Sequence, residues 1–392
     1  MSAGTPGFVG ARLREAREAR GLTAVALGDL VGASRAAISR YEDQSSSSPS
    51  PEMLTAIAAA LKLPQTFFLQ QTRSDESRTV FFRSQAATTK RARVRAGWKL
   101  EWLEDISSYL EQFVDFPVVD MPDIGLPPNP LLISDDDAEH AAEVARRHWG
   151  MNPSAPVANM TALLENQGSV ITRQALDAES LDSLSAYGRT DGRPYIIVGT
   201  DKGSSARWRF DLAHELGHLL LHRGVTKTQW NTPEVFKRIE DQAHRFAGAF
   251  LLPLESFSEE LYSADLNVMR SLKIRWGVSI QLMIMRARQT ELINEQTARN
   301  LWINLSRRGW RRCEPFDEET LPEEPRTLRG AFQLIMENGA QTPRDIAGAL
   351  SLDLADVEGL VGLPRDYLSR SFAPVVLKTG GQVVDFPGQG ER

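Results

Sequence analysis

At 392 residues with a net charge of −6, the chain is long enough for two to three domains, each burying its own core. One lone cysteine, Cys313, excludes a disulfide framework, and no run approaches the roughly eighteen apolar residues of a membrane span. Residues 7–20 carry charge at every helical turn where a signal peptide needs an apolar core, so a cytoplasmic protein is expected. The first seventy residues read as five short helices. Leu13, Ala16 and Ala19 stripe the first, which Gly21 ends. Thr23 caps a second containing Val25, Leu27 and Leu30, which Gly32 closes, and Ser34 caps a third over residues 35–42. Pro51 and Glu52 open a fourth to Leu61, and residues 64–68 form the last. Two helices joined by so short a glycine turn make a helix-turn-helix, with Arg35, Ala36, Ser39 and Arg40 on the outward face of its reading helix.

The matched residues Gly21, Leu22, Thr23, Leu27, Gly32, Ser34, Ile38, Ser39, Arg40, Tyr41 and Glu42 resemble the XRE (Cro/cI-type) helix-turn-helix family. That resemblance implies binding to double-stranded DNA through Thr23, Ser34, Arg35, Ala36, Ser39 and Arg40, usually as a homodimer on a palindromic operator. Two departures stand out: Ala24 replaces a frequent DNA-contacting Gln, and the serine-rich turn at 43–49 lacks the family's basic residues. A helical dimerisation domain without DNA is the alternative. Charge bears on this, since residues 1–72 sum to +1, residues 73–99 to +6 and the remainder to −13. The basic stretch predicts supplementary phosphate contact or, failing that, a solvated helix face.

Residues 97–113 predict an amphipathic helix, with Leu100, Leu103, Ile106, Leu110 and Phe113 at helical spacing. A proline-rich connector, 116–134, reads as a semi-rigid spacer. Ser134 with Asp137 caps a helix to Trp149. Residues 169–173, 184–189 and 194–198 predict strands, the last two joined by a tight turn at 190–193, with Tyr187 and Tyr195 assigned to packing.

The most informative run is 209–222, which contains His214-Glu215-Leu216-Gly217-His218, an H-E-x-x-H on a helix. At 3.6 residues per turn His214 and His218 share one face and can reach one zinc, and Glu215 beside it can serve as general base. Leu212, Ala213, Leu216, Leu219 and Leu220 mark the helix as buried; a satisfied core histidine pair is the bland alternative. His222 lies two turns from His214 and reads as a helix-end residue. The next helical segment, 235–253, offers Glu240 as third ligand, or else as a surface partner of Lys237. His244, four residues on, is assigned to support the site or donate a hydrogen bond to the reacting oxyanion.

The runs 207–222, Glu240-x-x-Ala243-x-x-Phe246-Ala247 and Leu251-Leu252-Pro253 resemble the ImmA/IrrE family of zinc metallopeptidases. The likeness extends over roughly residues 136–308, through Trp276, Gly277, Val278 and Ser279 and through Met283, Arg286 and Ala287. It implies Zn2+ bound by His214, His218 and Glu240, Glu215 as catalytic base, and a repressor or antitoxin-like protein as substrate. The family's usual Asn is His244 here. A small sheet over the motif helix would give a zincin-like site whose edge strand is free to hold a peptide. The domain order resembles that of two-domain members of the family.

Beyond Arg308, the acidic run 314–325 reads as a linker, residues 326–370 as short helices suited to protein contact, and the tail from Pro387 as disordered. The expected architecture is multidomain and mainly α. It comprises an all-α helix-turn-helix domain over 8–70 and a basic segment, helix and linker over 71–135. An α+β zincin-like peptidase domain follows over 136–308, then a small helical module over 326–370. The expected function is a DNA-binding regulator carrying a zinc endopeptidase. The rival is a transcription factor whose metal site senses a ligand or only holds the fold, and an intact Glu215 favours the enzyme.

Overall fold

The computed structural model describes residues 4–43, 47–73, 78–84, 89–176, 181–200 and 203–370. Part of the serine-rich turn, parts of the basic stretch and the C-terminal tail lie outside the described residues. Helices α1 (Gly10–Ala19), α2 (Ala24–Val31), α3 (Arg35–Glu42) and α4 (Pro51–Leu61) open the chain, followed by a 3-10 turn at Gln65–Leu69. Thr23, Ser34 and Ser50 cap α2, α3 and α4 by accepting a backbone N–H three residues on, and Gly32 closes α2 at φ 67°. Leu13, Leu27, Ile38, Ile57 and Leu61 are fully buried among them.

Strand β1 (Phe81–Ser84) precedes α5 (Lys90–Leu110). The helix expected from Gly97 therefore starts seven residues earlier, because Thr89 caps it by accepting from Ala92 N. Then come α6 (Asp135–His148), α7 (Met160–Asn166), β2 (Val170–Gln174), β3 (Leu181–Tyr187) and β4 (Pro194–Gly199). A run of helices completes the middle of the chain: α8 (Ser205–Leu221), α9 (Lys227–Trp230), α10 (Pro233–Leu251), α11 (Leu254–Glu260), α12 (Leu266–Trp276), α13 (Ile280–Gln289) and α14 (Glu295–Arg307). The last four are α15 (Thr327–Glu337), α16 (Pro343–Leu350), α17 (Leu354–Val361) and α18 (Tyr367–Arg370). Among the described residues, no helix is long and apolar enough to cross a membrane.

The sheet order is β1-β3-β4-β2, antiparallel except for the β2–β4 pair. Strand alternation gives its two faces to two cores. Ile171, Ile196 and Val198 pack with Leu212, Leu216 and Leu219 of α8. Leu184, Ala186, Tyr195 and Ile197 pack with α5, and that core runs on without a break into α1–α4 and α15–α17. Polar ties cross the same boundary: Trp102 Nε1 donates to buried Glu15 at 2.8 Å, and Arg20, just past the end of α1, pairs with Asp356 on α17 at 2.6 Å. The acidic second helix of residues 326–370 thus makes its contact within the chain.

To the three strands expected from sequence the structure adds a fourth: β1, a four-residue segment with no alternation to announce it, is paired along the edge of β3. One expectation needs correction. The acidic run 314–325 is not a loose linker. Glu314 accepts from Ile280 N at 2.7 Å and Gln281 N at 3.1 Å, capping α13, and pairs with buried Lys273 at 2.8 Å; Glu323 pairs with Arg209 at 2.7 Å. Carboxylates placed on a helix N-terminus and beside buried cations hold this strap down.

Candidate metal centre and nucleic-acid interface

Helix α8 starts where Ser204 accepts from Arg207 N and ends at His222, and Leu212 to Leu221 are all buried. It crosses α10 at a glycine. A Cβ on Gly217 would stand 3.2 Å from Ala243 Cα and 3.3 Å from Ala243 O, so only glycine admits this approach without displacement. The crossing lies one residue before His218 and three after Glu240, and it brings the two helices' polar side chains to one point.

There His214 Nε2 and His218 Nε2 are 3.0 Å apart, and Glu240 oxygens lie 3.5 Å from the first and 3.3 Å from the second. Ligand atoms about 2.0–2.1 Å from a tetrahedral zinc stand roughly 3.3 Å from one another, so this triangle fits one face of a zinc tetrahedron. The protonation states suit it. Burial pushes His214 well below its usual value, leaving a neutral lone-pair donor. Burial alone would push Glu240 up, but the imidazoles of His214 and His218 beside it hold it well below the carboxylate range.

The orientation of His218 follows from backbone groups far along the chain. Gln242 Nε2 donates to Pro130 O and Ile133 O, both at 2.8 Å, which turns its Oε1 toward His222 Nε2 at 2.9 Å. His222 Nε2 must then carry the proton, so its Nδ1 is an acceptor for His218 Nδ1 at 3.0 Å. His218 is left with its lone pair on Nε2, facing the site. Burial pushes His222 down to about 3, which keeps its own ring neutral. His214 Nδ1, buried, has no hydrogen-bond partner among the described residues.

Glu215 is fully buried and accepts from the hydroxyls of Ser183 and Ser185, alternate residues on the face of β3 toward α8. Burial pushes its carboxyl up despite these donors. His244 donates Nδ1–H to Glu240 O at 2.8 Å, so in the neutral ring Nε2 is an acceptor and serves as an oxyanion donor only when protonated. Its ring centroid is 4.5 Å from that of His214, and one ligand atom each of His214, Glu240 and His244 lie within 4.8 Å of one another. His244 also borders a cavity of about 890 Å³ with Phe210, Met285, Trp302 and Arg311.

On the helix-turn-helix, Thr23, Ser34, Arg35, Ala36 and Arg40 are exposed and Ser39 is half-buried. Lys90 and Arg91, at the start of α5, line one concavity with Thr23, Arg35 and Ser39. Of the basic stretch, Arg73 and Arg78 are committed elsewhere, Arg73 to Glu15 and Asp105, Arg78 to Glu101 and Glu104.

Family models match two regions, a helix-turn-helix domain at residues 9–66 and, at residues 164–288, the Peptidase M78 family described as the IrrE N-terminal-like domain. The chain joins a helix-turn-helix domain to an IrrE-like peptidase domain. No curated protein matches it. His214, Glu215, His218, Glu240 and His244 all fall inside the IrrE-like region, whereas β1, α5 and α15–α18 lie outside both matches. Ser183, Ser185 and Gln242 were missed from sequence. The Ser-x-Ser alternation in an otherwise apolar strand was the only local signal for the first two, and Gln242 had none.

Proposed function

We propose that this protein is a DNA-binding transcriptional regulator whose IrrE-like domain is a zinc-dependent endopeptidase acting on a repressor or antitoxin-like protein. The observation that carries the peptidase reading is the triangle of His214, His218 and Glu240 donor atoms, spaced for zinc, beside a buried carboxylate at Glu215. When bound, zinc supplies Lewis acidity to the scissile carbonyl and to the attacking water. Glu215 takes a proton from that water and passes it to the leaving amine. Ser183 and Ser185 fix the carboxylate between the two transfers, and its raised pKa suits a group that must hold the proton briefly. The helix-turn-helix would read an operator through Arg35, Ala36, Ser39 and Arg40, as a homodimer by analogy with XRE regulators.

His244 supports a second reading. With Nε2 as a lone pair near His214 and Glu240, it can close the site as a fourth ligand, and a closed site senses or stabilises rather than hydrolyses. Metal content and peptide cleavage of the full chain, compared with Glu215→Gln and His244→Asn, separate the two. The endopeptidase reading expects a discrete fragment of a neighbouring regulator from wild type and none from Glu215→Gln. The sensor reading expects no fragment from either, and metal affinity that drops in His244→Asn.

A further inference from the structure

The sheet of the IrrE-like region is completed from outside it. Residues 164–288 contain β2, β3 and β4, which alone would leave the outer edge of β3 exposed; β1, from some eighty residues upstream, covers that edge. We propose that β1 is an internal occupant of a peptide-binding edge. The edge takes an extended peptide carrying an aromatic side chain, and the chain's own Phe81 strand fills it until such a peptide displaces it. The endopeptidase reading supplies the purpose of this groove, whereas the strand and its pocket stand on their own geometry.

The register places the occupant beside the chemistry. Phe81 stands opposite Ser185 and Arg83 opposite Ser183, the two serines that hold Glu215. Opposed residues of an antiparallel pair project to the same face, so Phe81 is carried toward α8. Its ring is 3% exposed and lies parallel to the His218 imidazole, 5.2 Å between centroids and 3° between planes. Trp230 meets it edge-on at 5.3 Å, and Val225, Val235 and Ile239 complete the slot. Every wall of that slot comes from α8, α9, α10 and the turns between them. An aromatic residue of any strand laid along β3 in this register would meet the same walls.

Beside the ladder, polar contacts of Arg78 and Thr79 hold the occupant in place, among them the ion pairs of Arg78 with Glu101 at 3.1 Å and Glu104 at 2.6 Å. Thr79 Oγ1 donates to Val225 O at 2.7 Å, and Arg78 Nη1 donates to Tyr187 O at 3.0 Å. A substrate strand would remake the ladder bonds that β1 gives up, so exchange costs little beyond the advantage of tethering. That advantage is an effective concentration, on the order of millimolar for a short tether. A weak internal strand is therefore enough to keep out dilute, poorly matched peptides while yielding to one that fits better.

The test uses the full chain and a fluorescein-labelled peptide, Arg-Thr-Val-Phe-Phe-Arg-Ser, copied from residues 78–84. Anisotropy should show Phe81→Ala, whose slot is empty, binding the peptide at least tenfold more tightly than wild type. Thr79→Ala, which loosens β1 and leaves the core untouched, should bind it several-fold more tightly. Hydrogen exchange should show the amides of Ser183 to Ser185 losing protection in Phe81→Ala and regaining it with peptide. Equal affinity in wild type and both variants, or β3 amides equally protected in all three, would overturn the proposal and make β1 a permanent strand. Neither readout needs turnover. Tightened peptide binding by a protein that cleaves nothing supports this proposal and sinks the endopeptidase reading, and unchanged binding by an active peptidase does the reverse.

Discussion

His218 illustrates how little of a residue's chemistry lies in its own side chain. Its lone pair faces the site because two carbonyls near residue 130 orient an amide on α10, which orients His222 in turn. Removing such outer partners commonly costs 10–100-fold in metal affinity, so Gln242→Leu is expected to bind zinc at saturation yet lose it to a chelator at roughly tenfold lower competitor concentration. His218→Ala and Glu240→Ala should hold no stoichiometric metal, while His222→Ala should hold it more weakly, which elemental analysis and chelator competition together read out. Glu215→Gln should keep metal and fold and lose about 10²–10⁴ in cleavage rate, since an amide cannot accept the proton. The H-E-x-x-H spacing was legible because it is confined to one helical turn. The two serines and the glutamine were not, because each reaches the site from a different element.

At the scale of elements, the crossing of α8 and α10 decides whether three ligands meet. Gly217→Ala adds a methyl against the backbone of Ala243, where nothing flexible can give way. Overpacking of this kind costs about 1–3 kcal/mol, and the separation of the helices should weaken metal binding as well. Thermal unfolding with and without zinc checks both effects, and unchanged zinc stabilisation would show the crossing not to set the ligands. Helix α5 carries the corresponding argument for DNA. Lys90 and Arg91 are exposed beside Thr23, Arg35 and Ser39, so their replacement by Ala should weaken all sequences alike and lower the salt slope by about one for each. Arg35→Ala should instead relax base preference. Footprints over a salt series distinguish the two, and a uniform loss in Arg35→Ala would move sequence reading away from α3.

At the scale of the molecule, the helix-turn-helix is built into the core beneath the sheet. Trp102 is buried between α1 and the sheet-packed body of α5 and donates to Glu15. Truncating a buried tryptophan costs about 3–5 kcal/mol, and in a shared core that loss should reach both ends. Trp102→Ala is therefore expected to lower, in a single transition, the temperatures at which DNA binding and metal are lost. Two separate transitions, with metal retained at the wild-type temperature, would mean that the two regions melt independently.

The sequence by itself determined whatever is encoded within a few residues: the caps at Thr23, Ser34 and Ser134, the stripe of α5, the two histidines one turn apart and the two families that the chain resembles. Only the tertiary structure decided which edge β3 offers, how Gln242 sets a histidine tautomer, and that the acidic strap before residue 326 is fastened rather than free. The physical reason is range. Helical periodicity and capping depend on neighbours along the chain, whereas a four-residue strand such as Phe81–Ser84 has too little pattern to predict its partner. It acquires one only when its aromatic ring finds a slot about 140 residues away.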